Sequence, residues 1–271
     1  NNYKYVLPHF KKLLNLVREQ ANYFADALKV SPYQALLDSF DQGRNVEDIE
    51  KEFSKLKTFL PNFIKQVTSK QPPKKSIDWE YPIKQQKALA KYYMKAFGFD
   101  FNRGRLDKSV HPFCGGATDD VRITTRYNKR DFLISFMGVI HETGHALYEQ
   151  NLPQSYKFQP VGASNGMAIH EGQSLFVEKQ IGRNPAFIEH LHSQLHNFFT
   201  PMPNLSFEHL RDYMLHVEPS YIRVDADEVT YPAHVILRFE LEKAMLEGSL
   251  EVDDLPDAFN EGFEKLLGMK P

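Results

Sequence analysis

Apolar residues recur at helical spacing along most of this chain. The first such pattern predicts an amphipathic helix from Tyr3 to about Lys29, with an apolar face made of Leu13, Leu14, Val17, Tyr23 and Phe24. A second helix is expected after Ser31, because Pro32 suits a first helical turn. Further helices are predicted at about 45–69, 83–97, 187–199, 206–217, 231–247 and 254–267. Pro61 is expected to interrupt the helix at 45–69, and the pattern as a whole favours a mainly α fold.

One segment alternates between apolar and polar residues instead of following the helical period. Val121, Ile123 and Thr125 alternate with polar side chains between Val121 and Tyr127, which is the pattern of a strand with one buried face. The strand comes directly before the most apolar helix of the chain. The sequence therefore predicts a small β-sheet beside that helix.

That apolar helix carries a metal-binding motif. Residues 132–140 are almost wholly apolar, and His141-Glu142-Thr143-Gly144-His145 follows them in a helix predicted to end near residue 150. Residues four apart share a helix face, so His141 and His145 can place two imidazole nitrogens on one metal ion. A helix this apolar is buried on most sides, where polar groups without partners are costly, and a metal ion supplies a partner. With Glu142 beside the first histidine, this pattern favours a zinc hydrolase over two surface histidines on an amphipathic helix.

A third ligand is expected from a second helix at about 164–181, for which Ser164 is the predicted N-cap. Glu171 on that helix is the favoured ligand, since two histidines and a glutamate form a known zinc site. Its rivals are Glu149 and Glu178. His170 projects about 100° away from Glu171 on a helix, so it suits a position behind the ligands or one that faces a substrate.

Composition limits the class of protein. The chain has 271 residues and a net charge of −2, which gives no sign of nucleic-acid binding. Its one cysteine, Cys114, excludes an internal disulfide, as is typical of a cytoplasmic protein. No signal peptide or membrane span is visible in the sequence, so no membrane partner is expected.

Five separate motifs follow one another along the chain. They are His111-Pro112-Phe113, Asp120-Val121-Arg122-Ile123-Thr124, His141-Glu142-Thr143-Gly144-His145, His170-Glu171-Gly172-Gln173 and Ile222-Arg223-Val224-Asp225-Ala226-Asp227. In this order they resemble the H-P-F, D-x-R-x-T, H-E-x-x-H, H-E-S/G-Q and I-R-x-x-A-D motifs of the M32 metallocarboxypeptidases, the thermostable carboxypeptidase family. The resemblance extends over essentially the whole chain.

The resemblance implies a fold, an activity and a set of partners. The fold is one helical domain over residues 1–271, of the zincin type, elongated and split by a deep cleft with the two zinc helices on its floor. The activity is removal of C-terminal amino acids from peptides that have a free C-terminus. The cofactor is one zinc ion for each chain, which cobalt is able to replace, and the family tends to form homodimers.

The ends of the chain depart from the family. Members are typically much longer, and their late motif G-x-x-Q-D-x-H-W is absent here, since Trp79 is the only tryptophan. The chain is therefore expected to be a partial one, without an N-terminal helical part and the C-terminal segment. Two alternatives to a carboxypeptidase follow: a zinc endopeptidase or dipeptidase with the same metal site, and a catalytically inactive fragment.

The expected chemistry is metal-assisted hydrolysis of an amide bond. Glu142 is the expected base, which takes a proton from water and delivers it to the leaving amine. A guanidinium suits the C-terminal carboxylate of a substrate, with Arg223 as the first candidate and Arg122 as the second. Alternatively, either arginine pairs with an aspartate of its own motif. The other substrate-binding candidates are His111, His170, Tyr231 and His234, the last two as donors to the oxyanion or as core residues.

Overall fold

The part of the chain that the computed structural model describes comprises residues 2–77, 79–200, 202 and 204–270. The chain divides into two compact units. We call Asn1–Pro72 together with Val217–Pro271 the helical unit, and we call Pro73–His216 the sheet unit. The described residues are mainly helical with one small sheet, so the predicted mainly α fold class is confirmed.

Ten α-helices occur in the described residues. They are α1 (Tyr3–Leu28), α2 (Pro32–Asp38), α3 (Val46–Lys70), α4 (Ile83–Ala96), α5 (Phe132–Gln150), α6 (Met167–Leu175), α7 (Pro185–Phe198), α8 (Phe207–Met214), α9 (Tyr231–Glu247) and α10 (Leu255–Leu267). A π-helix, Phe176–Ile181, continues α6 directly. None of the described helices is both long and apolar enough to cross a lipid bilayer.

Most helices lie where the apolar pattern predicts them. Helix α9 has the predicted bounds, and α4, α7 and α10 differ from the prediction by no more than two residues at either end. Several starts are fixed by capping. The side chains of Ser31, Asn45 and Ser206 each accept a backbone hydrogen bond from the first turn of the helix that follows.

Helix α3 continues through Pro61, so the predicted interruption there is wrong. A proline inside a helix removes one backbone hydrogen bond and costs ~3 kcal/mol. Leu60 and Ile64 on either side are buried in one apolar cluster with Ile236 of α9 and Phe263 of α10. Burying two such side chains contributes ~3–6 kcal/mol, which offsets the cost of the proline.

The sheet unit contains the strands β1 (Gly104–Lys108), β2 (Phe113–Ala117) and β3 (Asp120–Thr125). Their order is β1-β3-β2, with β3 parallel to β1 and antiparallel to β2. Val121, Ile123 and Thr125 are buried, as their alternation predicts, although the strand ends two residues before Tyr127. The strands β1 and β2 were not predicted, because they are short and β2 has two glycines and little burial.

Helix α5 packs on β3, α4, α6 and the π-helix, and buried polar groups fix both of its ends. Near its start, Ser135 Oγ donates to Gln86 Oε1 of α4 at 2.7 Å. The Gln86 amide nitrogen donates in turn to two backbone carbonyls. At the other end, the Gln150 side chain bonds both the N–H and the carbonyl of Asp100. These contacts hold the helix that carries the metal-binding motif beside the sheet, as predicted.

Helix α6 begins at Met167, so Ser164 is not its N-cap as predicted. Gly166 occupies that position with a φ of 76°, a backbone conformation that residues other than glycine rarely adopt. The helix reaches its predicted end at Ile181, but its last turns are a π-helix. The wider π-turn sets the direction of the side chains that follow Leu175.

Helix α6 approaches α5 closely at Gly144. A Cβ atom on Gly144 would lie 2.5 Å from the carbonyl oxygen of Gln173 and 2.5 Å from Cα of Ser174. Both are backbone atoms, which cannot yield without moving α6. Gly172 of α6, in contrast, has no heavy atom within 4 Å of the place where a Cβ would stand.

We therefore expect Gly144→Ala to lower the free energy of unfolding by ~1–3 kcal/mol, which is typical of an overpacked helix contact. Gly172→Ala is the matched control, and it should be neutral or stabilising by up to ~1 kcal/mol, because alanine favours a helix over glycine. Urea unfolding of both variants measures the difference. Equal stability of the two variants would contradict the close packing of α6 on α5.

Candidate metal centre

Three side chains from α5 and α6 converge on one point. His141 and His145 lie one turn apart on α5, with ring centroids 5.0 Å apart, and Glu171 reaches them from α6. One carboxylate oxygen of Glu171 lies 3.9 Å from Nε2 of His141, and the other lies 3.2 Å from Nε2 of His145. One ligand atom from each of the three residues lies within 4.8 Å of the other two. The structure thus brings together the three residues predicted as metal ligands.

This donor set suits zinc. Two imidazole nitrogens and one carboxylate oxygen form a known catalytic zinc set and leave a fourth position for water. Ligand atoms ~2.1 Å from a tetrahedral ion lie ~3.4 Å from one another. The observed separations of 3.2 and 3.9 Å lie on either side of that value. Small rotations of these half-buried side chains would therefore complete the site.

Glu142 lies beside the triad and is 7% exposed. Burial raises the pKa of its carboxyl group, against the opposing charges of His141 and His145. His111 is exposed in the loop between β1 and β2, and its charge also acts on Glu142. The H-P-F motif and the metal-binding motif therefore share one electrostatic environment.

His141 is held from behind by a carboxylate of the π-helix. Its Nδ1 lies 2.9 Å from Oε2 of Glu178, and Lys179 pairs with the other oxygen of Glu178 at 2.8 Å. Burial favours the neutral form of Glu178, but the hydrogen bond from His141 and the charge of Lys179 outweigh it and lower the pKa of Glu178 to about 2. An ionised Glu178 accepts a hydrogen bond from Nδ1–H of His141, which leaves Nε2 of His141 free to bind a metal.

His145 has a second histidine behind it. Its Nδ1 lies 2.6 Å from Nδ1 of His170, and Nε2 of His170 lies 2.7 Å from Oε1 of Glu149. When Nε2 of His145 binds a metal, its Nδ1 carries a proton and donates it in a hydrogen bond to His170. His170 then donates from Nε2 to Glu149. His170 thus lies behind His145, which is one of the two positions predicted for it.

Glu149 and Glu178 are the predicted rivals of Glu171. Both lie behind the rings of His141 and His145 and not beside Glu171. Glu178 contacts His141 directly, and Glu149 contacts His145 through His170. The pairing of Glu178 with His141 was not predicted, whereas an outer position was the most that the sequence allowed for Glu149, one turn past His145. A signal was present for Glu178, which follows Glu171 by two helical turns and so tends to share its helix face.

Arg122 of β3 is already paired within its own motif. Its Nε donates to Oδ2 of Asp120 at 3.0 Å, and both side chains are half exposed. This is the structural ion pair that was the alternative to substrate binding for Arg122. Solvent screens an exposed pair of this kind, so it restricts the arginine only weakly.

Arg223 and Tyr231 lie in the helical unit and contact each other. Nη1 of Arg223 donates to the Tyr231 hydroxyl at 3.1 Å, and the guanidinium carbon lies 5.9 Å from the centre of the tyrosine ring. Within the described residues Arg223 forms no ion pair, so the alternative pairing with an aspartate of its motif is not observed. Asp227 instead accepts hydrogen bonds from three backbone N–H groups and the Thr230 hydroxyl.

His234 is fully buried in α9, where its ring packs at 5.5 Å on that of Phe263. Burial, together with the charge of Arg238, lowers the pKa of His234 and keeps the imidazole neutral. This packing is the core role that was the alternative to oxyanion binding. Arg238, which was not predicted as a site residue, donates to the His234 carbonyl, and burial and the charge of Arg223 lower its own pKa.

A helix that carries H-E-x-x-H beside a small sheet, with a glutamate from the next helix, is the arrangement of a metallopeptidase. The family model described as "Carboxypeptidase Taq (M32) metallopeptidase" matches residues 1–271. The chain belongs to this family. The predicted resemblance is therefore confirmed.

Named relatives are identical to this chain at somewhat more than a third of the matched positions. Carboxypeptidase 1 of Bacillus subtilis is 37% identical over 268 residues, which are 97% of this chain and 53% of that protein. Thermostable carboxypeptidase 1 of Pyrococcus furiosus is 36% identical over 271 residues, which are 97% of this chain and 54% of that protein. The chain spans about half the length of the curated relatives it matches.

Solved structures show the same similarity. Trypanosoma cruzi metallocarboxypeptidase 1 superposes with a TM-score of 0.93 at 40% identity, over 98% of this chain and 56% of that one. The M32 carboxypeptidase of Deinococcus radiodurans gives a TM-score of 0.93 at 32% identity, over 99% of this chain and 54% of that one.

The contact between His141 and Glu178 leads to a prediction about metal affinity. We expect Glu178→Ala to weaken zinc binding by about 10–100-fold, because a ligand histidine loses the group that fixes its ring and its proton. Glu178→Gln should bind zinc with intermediate affinity, since its amide oxygen still accepts a hydrogen bond. Competition with a chromogenic chelator measures the affinities.

Glu189→Ala is the matched control, because Glu189 is an exposed glutamate of the same unit. Its zinc affinity should equal that of the parent protein. Equal affinities for Glu178→Ala and Glu189→Ala would show that Glu178 does not support the metal centre.

Proposed function

We propose that this protein is a zinc-dependent carboxypeptidase that removes C-terminal amino acids from peptides. Membership of the M32 family supports the reaction class. The observation that carries the proposal is the convergence of His141, His145 and Glu171 within ligand distance of one another, with Glu142 beside them. Cobalt is the expected substitute for zinc, because the same donor atoms suit both ions.

The proposed chemistry begins with the three ligands. His141, His145 and Glu171 would hold one zinc ion, which when bound polarises a carbonyl group and lowers the pKa of water at the site. Glu142 takes a proton from the attacking water and delivers it to the leaving amine. Its burial excludes bulk water from the proton transfer. Glu178 and His170 keep the two ligand rings in place.

The clamp for the substrate's C-terminal carboxylate is proposed to be Arg223. A guanidinium binds a carboxylate through paired hydrogen bonds. Arg223 makes no ion pair within the described residues, whereas Arg122 is paired with Asp120. Arg122 is therefore the second candidate, and Tyr231 and His111 complete the proposed substrate-binding set.

We expect Glu142→Gln to bind zinc as the parent does and to hydrolyse peptides about 10²–10⁴-fold more slowly. The change is nearly isosteric and removes only the group that accepts the proton. Zinc content and turnover of a blocked dipeptide are the measurements, with Glu189→Gln as the matched control. Turnover equal to that of the parent at equal zinc content would exclude Glu142 as the base.

The exopeptidase proposal predicts that a substrate must have a free C-terminal carboxylate. An N-blocked peptide should be cleaved, and the same peptide with a C-terminal amide should not be. Arg223→Ala should reduce cleavage of the free acid by about 10–100-fold, since a hydrogen bond to a charged group contributes ~1.5–3 kcal/mol. Removal of zinc by a chelator should abolish cleavage, and added zinc or cobalt should restore it.

Arg44→Ala is the control for Arg223→Ala, because Arg44 is an exposed arginine of the same unit. Equal cleavage of the acid and the amide would favour an endopeptidase. A preference for the acid that survives in Arg223→Ala would assign the clamp to Arg122 or another residue. Zinc binding without cleavage of either peptide would favour an inactive fragment. The homodimer, the cytoplasmic location and the absence of nucleic-acid partners remain predictions, the first of which analytical ultracentrifugation tests.

A further inference from the structure

An open groove on the sheet unit lies between α4 and the outer edge of β1. Its volume is about 680 Å³. One wall is formed by Lys87, Lys91 and Lys95 of α4, and the other wall is formed by residues 104–107 of β1. Aromatic rings complete the lining, namely those of Tyr92, Phe101 and Phe198. None of the residues of the metal centre lines this groove.

The groove carries uncompensated positive charge. Within the described part of the chain, Lys87, Lys91 and Lys95 form no ion pair. The one acidic residue in the lining, Asp107, forms an ion pair with Arg105, whose Nε lies 2.6 Å from Oδ2 of Asp107. Lys91 lies over the Phe101 ring at 5.5 Å, a contact that leaves its positive charge in place. Lysines without ion-pair partners beside an apolar wall attract an anionic ligand whose other groups are less polar.

The second wall is a free sheet edge. Strand β1 pairs with β3 on one side and, within the described residues, with no strand on the other. Such an edge presents backbone N–H and C=O groups that an added extended chain can bond. The lysines stand on α4, across the groove from this edge.

The spacing of the two walls matches an extended chain. Lys87, Lys91 and Lys95 are four residues apart, and so follow one another at ~6 Å along one face of α4. Alternate side chains of a β-strand follow one another at ~6.6–6.8 Å. Over three positions the two repeats drift apart by under ~2 Å, which flexible lysine side chains can span.

We propose that this groove binds an acidic, extended polypeptide segment, which adds as a strand to the free edge of β1. Carboxylates at alternate positions of the segment pair with Lys87, Lys91 and Lys95, and its apolar side chains rest on the aromatic rings. A phosphate chain would use the lysines and at most the N–H groups of the edge, because phosphate oxygens only accept hydrogen bonds, whereas an added strand bonds both the N–H and the C=O groups of β1.

A labelled heptapeptide tests the proposal by fluorescence anisotropy. It has glutamate at three alternate positions, Thr and Val between them, and a C-terminal amide. We expect saturable binding, about tenfold weaker binding by Lys87→Gln/Lys91→Gln/Lys95→Gln, and a similar weakening in the parent protein when the peptide carries glutamine instead of glutamate. Hydrogen exchange should show that the peptide protects amides within 104–108.

Two sets of controls separate strand addition from simple charge attraction. Lys12→Gln/Lys65→Gln/Lys70→Gln changes the net charge equally at exposed lysines outside the groove, and it should bind the peptide as the parent does. In a strand, the N–H groups of alternate residues point to the same side. N-methylation removes the backbone N–H donor of a residue. We therefore compare one peptide N-methylated at the three glutamates with another N-methylated at the residues between them, and we expect one of the two to lose binding and the other to keep it.

Several results would overturn the proposal. Equal binding of the two N-methylated peptides would show that the groove attracts the peptide by charge alone, without strand addition. Equally tight, lysine-dependent binding of tripolyphosphate or of a short single-stranded oligonucleotide would lead to the same conclusion. Exchange protection outside 104–108 would place the peptide elsewhere. The N-methylation comparison uses the parent protein, so it decides the question even if the triple lysine variant fails to fold.

Discussion

The backbone of α6 packs directly on Gly144 of α5, and the geometry of the metal centre depends on this contact. Two histidines of one helix need only the helical repeat to face the same way. A third ligand from another helix has to be brought within a few ångströms, and here the space for α6 exists because Gly144 has no side chain. Glu171 then projects from α6 onto the two rings. The candidate ligand set thus depends on one local repeat and one tertiary contact.

Polar groups placed on a buried helix require partners, because an unpaired buried donor or acceptor costs ~1–3 kcal/mol. The structure meets this requirement in two ways. His141 has a carboxylate directly behind it, which the π-helix supplies through Glu178. His145 has a second imidazole ring between itself and its carboxylate, because His170 stands between His145 and Glu149. The two histidines therefore differ in how directly a negative charge acts on them, although they come from one motif.

The two edges of the small sheet have different surroundings. At β2, burial and then the charges of Glu142 and Glu149 raise the pKa of the Cys114 thiol to about 12, so this edge lies within the field of the metal centre. At β1, the sheet borders the basic groove beside α4. One three-stranded sheet therefore connects an acidic metal-binding side and a basic side. The same core, with Val121 and Ile123 at its centre, supports both.

The amino-acid sequence by itself determined the elements whose signals are local. The apolar period and the capping side chains predict most of the helices, and the alternation around Ile123 predicts the central strand. The five motifs predict the family, and the four-residue interval between His141 and His145 predicts that both rings face one ion. Only the tertiary structure decided what depends on neighbours distant in sequence. It kept α3 helical through Pro61, because buried side chains on both sides outweigh one lost hydrogen bond. It formed β1 and β2, whose short segments acquire a strand conformation from pairing with β3. The sequence favours Glu171 as the residue that faces the histidines. Only the structure places Glu178 and Glu149 behind them, because their positions depend on the packing of α6 and its π-turn on α5.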